Sequence, residues 1–263
     1  MSAPDGYEES QVGGATVVAL RAHSAAIRAA LNEGTLFDYA AWHAETRPLT
    51  GRGVVYAAPL PNGERVVVRH NRHGGLFAPV TGDRFLFPSR APYELATSLR
   101  LRASGVPTPE IIAYVVYPLG VLLCRSDVAS REIRESSDLA AILTTGDERE
   151  RKAALAATST LIGLLSQCGA RHHDLNVKNV LLACGASPGA LTAYVLDVDR
   201  IEFGTVADSQ VTERNLARFT RSARKWRELH GARIEEAELV RVAASVRRFV
   251  ASRPGKPRVA TRS

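Results

Sequence analysis

The stretch Arg171-His172-His173-Asp174-Leu175-Asn176-Val177-Lys178-Asn179-Val180-Leu181-Leu182 decides how the rest of the chain is read. It begins as a polar loop and ends in an apolar run with strand character. Asp174 and Asn179 lie five residues apart, directly before that run. A carboxylate placed there can orient a hydroxyl and accept its proton, and an amide oxygen nearby can help hold a hard cation. Further on, Val195-Leu196-Asp197-Val198-Asp199 is a second acidic site, where a short apolar strand delivers a carboxylate to its end. Singly these signals are cheap, because an aspartate after a strand is commonly a turn former or a helix cap. In this order, with a hairpin between them, they reinforce each other. His172 reads as a structural residue packed beneath the loop, and His173 as solvent-facing.

The spacing H-x-D-x-x-x-x-N, followed by a strand, is that of the catalytic loop of kinases, and a second aspartate downstream is where such enzymes place their principal magnesium ligand. Asp174 is then the catalytic base, Asn179 and Asp197 are metal ligands, and Asp199 assists them. Upstream, Gly51-Arg52-Gly53-Val54-Val55-Tyr56 suits a phosphate-covering turn in which Gly51 and Gly53 let backbone amides approach phosphate oxygens. Tyr56 replaces the third glycine of that pattern, so an ordinary hairpin turn fits equally well. A cation is also needed for the α- and β-phosphates. Lys152, Lys178, Lys225 and Lys256 are the only lysines and all lie too late in the chain. Arg69, ending Val66-Val67-Val68-Arg69, takes that place, with Glu94 of the following helix as its partner. The competing reading of Arg69 is an exposed strand-end charge.

The flanking segments give the architecture. Residues 1–15 are small, polar and Gly-containing, and predict a mobile start; Val17 to Leu31 suits a strand and a short helix. Val54-Val55-Tyr56, Pro61-Asn62-Gly63 and Val66-Val67-Val68 predict a hairpin. Helical spacing follows from Pro92 to Ser104, then a second hairpin over Ile111–Tyr117 and Gly120–Cys124. Arg149 to Cys168 reads as a long Ala/Leu-rich helix, and residues 213–251 as helical and basic. Strands first and helices afterwards indicate an α+β, bilobal fold with a small antiparallel β-rich N-lobe and a mainly helical C-lobe. The expected divisions are an N-terminal extension (1–35), the N-lobe (36–125), the C-lobe (126–252) and a disordered basic tail (253–263).

Composition narrows the functional classes. Hydrophobic residues make up 45% of the 263, enough for a real core. The formal net charge of +7 favours anionic partners. Arg72, Arg84, Arg90, Arg218, Arg221, Arg224 and Lys225 are candidates for contacting an acidic acceptor, against the reading that each is a solvated helix face or a scaffold residue. Little aromatic interleaving and no recognised motif argue against nucleic acid. The three cysteines are widely spaced, which fits neither a disulfide framework nor a zinc site and suits a reducing compartment. There is no signal peptide pattern and no stretch as long as a membrane span, so the expectation is a cytoplasmic protein able to rest on a membrane.

With those residues in place, the chain resembles the lipopolysaccharide core kinases, and most closely the 3-deoxy-D-manno-octulosonic acid (Kdo) kinases, which have a protein-kinase-like fold. The resemblance runs over about residues 36–226. It includes Leu36-Phe37-Asp38 with Trp42, Gly51-Arg52-Gly53, Val68 through Gly74-Gly75-Leu76, Leu99 through Pro109, both acidic motifs, and Asn215-Leu216-Ala217-Arg218-Phe219 with Arg221-Ser222. Asn176 stands where protein kinases carry a lysine, and Asp199 where they carry glycine, as the resemblance leads one to expect; Val198 replaces an aromatic residue. The resemblance implies ATP- and Mg2+-dependent phosphorylation of a Kdo hydroxyl, usually the 4-position, on Kdo–lipid A at the cytoplasmic face of the inner membrane. A heptose, another sugar, a small molecule or a protein as acceptor, or a pseudokinase-type ATP-binding module, are the alternatives.

Overall fold

Short runs of Val and Ala between turn residues put most of the strand residues in the first half of the chain. The computed structural model describes residues 3–49, 54–70, 85–86, 89–120, 123–185 and 190–252. The chain divides into two units, one formed by 1–98 with 109–132 and the other by 99–108 with 133–263.

The first unit holds β1 (Tyr7–Val12), β2 (Ala15–Leu20), β3 (Arg47–Leu49), β4 (Val55–Pro59), β5 (Arg65–His70), β6 (Phe85–Leu86), β7 (Ile111–Leu119) and β8 (Leu123–Arg131). They form one sheet in the order β1-β2-β7-β8-β5-β4-β3, with β6 paired to β8. Helices α1 (Ser24–Ala30) and α2 (Leu36–Trp42) contribute Ile27, Leu36 and Tyr39 to a core shared with Val17, Val66, Val68 and Val115 of the sheet. The β4–β5 hairpin forms where the Asn62-Gly63 signal puts it, and β7–β8 is the second hairpin.

Two expectations are corrected here. Residues 1–15 are not simply a mobile start: β1 and β2 make a hairpin whose turn glycines, Gly13 and Gly14, have φ of 54° and 83°. A two-residue turn with both φ positive suits Gly-Gly, and β1 is polar because, as an edge strand, it buries only Tyr7. The Tyr7 hydroxyl donates to the Ile111 carbonyl at 2.6 Å, tying the hairpin to β7. The second correction is the end of the unit. The boundary expected at 125/126 falls inside β8, which continues to Arg131 because its later half pairs with β5, from Asp127↔His70 to Arg131↔Val66.

Asp127 on β8 is fully buried. Its carboxylate accepts from the Phe37 amide at 3.0 Å and the Tyr117 hydroxyl at 3.1 Å, and it contacts His70 Nδ1. The Tyr117 hydroxyl accepts from the Leu36 amide at 2.8 Å. Asp127 directly, and Tyr117 held by it, thus satisfy the Phe37 and Leu36 amides in the first turn of α2, and the helix dipole favours the carboxylate charge. Burial and the Asp127 charge push the Tyr117 phenol well above its ordinary range.

The unit division falls within α3 (Ala91–Ala103). The second unit continues with β9 (Ser137–Asp138), α4 (Leu139–Thr145), α5 (Glu148–Gln167), β10 (Ala170–His172), β11 (Val180–Cys184), β12 (Leu191–Val195), β13 (Ile201–Phe203), α6 (Ser209–His230) and α7 (Glu236–Ser252). A reciprocal Asp147–Glu150 capping box starts α5, which buries Leu155, Ile162 and Leu165 at helical spacing. A Cβ on Gly163 would lie 2.5 Å from the Phe249 ring, so the absence of a side chain sets how closely α7 approaches α5. Among the described residues no helix is long and apolar enough to cross a membrane. The tail at 253–263 lies outside the described residues.

Candidate active site

The loop after β10 is assembled chiefly by side-chain amides. Asn176 Oδ1 accepts from the amides of Lys178 and Asn179 at 2.9 and 3.1 Å, capping the short 3-10 turn Val177–Asn179. The Asp174 carbonyl accepts from Asn176 Nδ2 at 3.1 Å and Asn179 Nδ2 at 2.9 Å. Asp174 and Asn179 are thereby locked together. Because Asn179 donates through Nδ2, its Oδ1 is presented as an acceptor. Asn176 supplies neutral loop geometry at the position where a lysine would carry charge.

His172 is buried and joins this loop to the second acidic turn. Its Nδ1 accepts from the Asp174 amide at 3.1 Å, so the proton resides on Nε2, which donates to the Leu196 carbonyl at 2.9 Å. Burial lowers its pKa, and the hydrogen bond to Leu196 and the charges of Asp197, Asp174 and Asp199 offset this only in part. The neutral ring is a structural link, as the sequence indicated. His173 is exposed and pairs with Glu202 at 2.7 Å.

The second acidic turn is brought alongside by strand register. Val180 pairs with Val195 across β11–β12, and the Leu196 amide then donates to the Asn179 carbonyl at 3.0 Å. Residues ahead of α3's exit strand brace the same point: the Val195 amide donates to the Pro107 carbonyl at 3.0 Å, and Thr108 Oγ1 donates to the Val195 carbonyl at 3.0 Å. Asp197 follows in the left-handed region, φ 52° and ψ 48°. Aspartate tolerates that conformation better than most residues, but it is a strained one. Asp197 is exposed, and its carboxylate makes no hydrogen bond or ion pair among the described residues. Asp199 lies in the 3-10 turn Val198–Arg200, its carboxylate 3.7 Å from Arg200.

Helix α6 clamps the first loop from one face. Asn215, fully buried, accepts from the His172 amide at 3.0 Å and donates to the Ala170 carbonyl at 2.9 Å. Ser222 Oγ accepts from the Val177 amide at 3.2 Å. Between them, Arg218 donates through Nε to the His173 carbonyl at 3.3 Å and forms an ion pair with the Asp174 carboxylate. Positions 215, 218 and 222 follow helical spacing. Sequence reasoning placed Arg218 only among possible acceptor contacts and gave Asn215 and Ser222 no role; the signal was their place in the late-helix segment.

In the first unit, Arg69 on β5 and the buried Glu94 in the first turn of α3 form the expected ion pair. Gly51 and Gly53, with Arg72, Arg84 and Gly74-Gly75, lie outside the described residues. Of the other basic candidates, Arg224 is paired with Glu236, while Arg90, Arg221 and Lys225 are exposed.

The donor set suits a small hard cation. Such an ion takes one or two carboxylates and completes its shell with water and substrate phosphates. Asp197 supplies an unengaged carboxylate and Asn179 a carbonyl oxygen. No group of three or more His, Cys, Asp or Glu that could cage a metal occurs among the described residues. Asp197 and Asn179 fit a cation whose shell is completed by water and a phosphate ligand.

Comparison with known proteins gives the family and the fold. Residues 46–249 match the model of the "Lipopolysaccharide kinase (Kdo/WaaP) family". The chain is 30% identical over 207 residues to a 3-deoxy-D-manno-octulosonic acid kinase of Vibrio vulnificus (strain CMCP6), covering 74% of this chain and 81% of the relative. It is also 30% identical to a protein of the same name from Stenotrophomonas maltophilia (strain R551-3), covering 74% and 76%. Among solved structures, WaaP in complex with acyl carrier protein aligns with a TM-score of 0.51 and 16% identity, over 86% of this chain and 90% of that one. At that identity the likeness speaks for a shared kinase-like fold.

Proposed function

Since the chain belongs to the lipopolysaccharide kinase (Kdo/WaaP) family, whose members transfer a phosphoryl group from ATP to a sugar hydroxyl, we propose that it phosphorylates the 4-hydroxyl of Kdo on Kdo–lipid A. The single observation that carries this reading is the pairing of a preset loop at Asp174 and Asn179 with an unengaged Asp197 carboxylate beside it.

In this reading Asp174 orients the sugar hydroxyl and accepts its proton as the oxygen attacks the γ-phosphorus in line. Asn179 Oδ1 and the Asp197 carboxylate would hold Mg2+, with Asp199 assisting, and the ion would supply positive charge against the phosphates. Arg69, held by Glu94, grips the α- and β-phosphates, and Gly51 and Gly53 cover them. His172 keeps the two acidic turns in register and carries no proton in the reaction. The net charge of +7 favours work at the anionic cytoplasmic face of the inner membrane, where the acceptor resides.

Incubation of the purified protein with ATP, Mg2+ and Kdo–lipid A, followed by mass spectrometry, is expected to show one added phosphate on the Kdo residue. Asp174→Asn should lower kcat by about 10²–10⁴-fold. Phosphate transfer to a heptose or a protein, with none to Kdo–lipid A, would defeat the assignment.

A further inference from the structure

A cavity of about 340 Å3 opens beside the Asp174 loop, lined by Arg171, Arg214, Arg218 and Arg221 together with His172 and His173. Its size is at the lower end of small-ligand pockets. Arg214, Arg218 and Arg221 come from one face of α6, at positions i, i+4 and i+7, and Arg171 comes from β10. Of the four arginines, only Arg218 has a carboxylate ion-pair partner among the described residues, Asp174. Arg214 has only a hydrogen bond to Gln210 on its own helix, at 3.2 Å, and neither Arg171 nor Arg221 has an ion-pair partner among the described residues. Glu202 faces Arg171 across the β10–β13 pair, but its carboxylate is held by His173.

Like charges gathered at helical spacing repel one another, and folding alone gives no reason to collect them around a concave surface. Guanidinium groups match carboxylate and phosphate oxygens in paired, planar hydrogen bonds. We propose that this cavity binds an anionic group of the acceptor, a sugar-acid carboxylate or a phosphate, and so sets the reacting hydroxyl against Asp174. The inference rests on the acceptor reading above and adds where the acceptor is held. It also gives Arg218 a second part. Arg218 holds the Asp174 carboxylate from the pocket side, so an anion seated among the arginines competes for Arg218 and turns Asp174 toward the hydroxyl.

The test uses the full chain with ATP and Mg2+, comparing wild type with an R214A/R221A double variant, both changes lying at exposed positions of α6. Three acceptors are used: Kdo–lipid A, its Kdo methyl ester, and Kdo–lipid A stripped of its lipid A phosphates. The double variant is expected to raise the acceptor KM at least tenfold while the KM for ATP stays within twofold. If the bound group is the carboxylate, the ester raises the wild-type KM to the same extent and the variant adds little to it. If it is a phosphate, the dephosphorylated acceptor shows that behaviour instead. An unchanged acceptor KM in the double variant overturns the proposal, as does an equal rise in both KM values. Arg221→Lys, which keeps the charge but loses the paired hydrogen bonds, should fall between, and it serves if the double variant does not fold. A wild type inactive on every Kdo acceptor defeats the proposed function but leaves the pocket testable by equilibrium titration with free Kdo and inorganic phosphate. Weaker binding of either by the double variant then upholds the pocket, and equal binding of both sinks it.

Discussion

The two acidic turns of the second unit are built in opposite ways. Around Asp174 nearly every polar group has a fixed partner: His172 takes its amide, Asn176 and Asn179 share its carbonyl, and Arg218 holds its carboxylate. Around Asp197 the backbone is strained, one carbonyl bond to the Arg200 amide closes the turn, and the carboxylate is exposed and unengaged. The contacts of the first turn contribute to stability. Those of the second add little to it, and the proposed function gives its exposed carboxylate a part in chemistry instead. This is the distribution expected where a positioned base works beside a cation delivered with the substrate.

That contrast can be broken by mutation. The largest effect is expected at Asp197, where Asp197→Ala should lower kcat by ~10³-fold or more and leave the melting temperature nearly unchanged. A variant that loses activity only in proportion to a loss of folded protein would erase the distinction between the turns. At the other turn the opposite balance is expected. Asn215→Ala leaves a buried amide and a buried carbonyl without partners, which should cost about 2–3 kcal/mol by chemical denaturation. A loss below ~0.5 kcal/mol there would mean that α6 does not support the loop.

His172 sharpens the comparison through pH. Its pKa is depressed in the fold by burial, so below its ordinary value of 6.5 the unfolded chain binds a proton that the folded chain does not. Its contribution to stability is therefore complete above pH 6.5 and declines as pH falls through the folded pKa. Denaturation between pH 8 and 5 should show that decline in the wild type. A His172→Gln variant, less stable throughout, should lack that part of the curve, and parallel curves for the two proteins would contradict the assignment. The smallest measurable change in stability is expected for Asp197→Gly, which relieves the left-handed strain and should raise stability by up to ~1 kcal/mol while lowering turnover as Asp197→Ala does. A destabilised Asp197→Gly protein would show that the aspartate side chain also supports the fold.

Local signals in the sequence were enough for several of the regular elements and for the position of the Asp174 loop. Asn62-Gly63 between two valine runs specifies the β4–β5 hairpin by turn chemistry, and the spacing from Asp174 to Asn179 identifies the loop because the motif lies within one short segment. The Arg69–Glu94 pair was also accessible, since the missing early lysines left one cation at the right strand end. What could not be read locally depends on distant partners. The polarity of β1 hides a strand whose pairing is decided by β2 and whose anchor is a Tyr7 bond to Ile111. Asp127 looks like an ordinary surface acid until β8 is seen to run on to Arg131, which buries it against the start of α2. Asn215, Arg218 and Ser222 lie on an amphipathic basic helix whose polar residues resemble solvated ones. Only contact with the loop shows that three of them face inward.

Those three contacts reach back 43, 44 and 45 residues along the chain. Since a polypeptide is synthesised from its N-terminus, every acidic residue of the site has left the ribosome's peptidyl-transferase centre before the helix that sets the loop exists. A nascent or cleaved chain ending short of Asn215 carries the whole acidic motif and none of these three downstream contacts. Such a fragment holds the acidic residues without the helix that fixes the backbone of their loop.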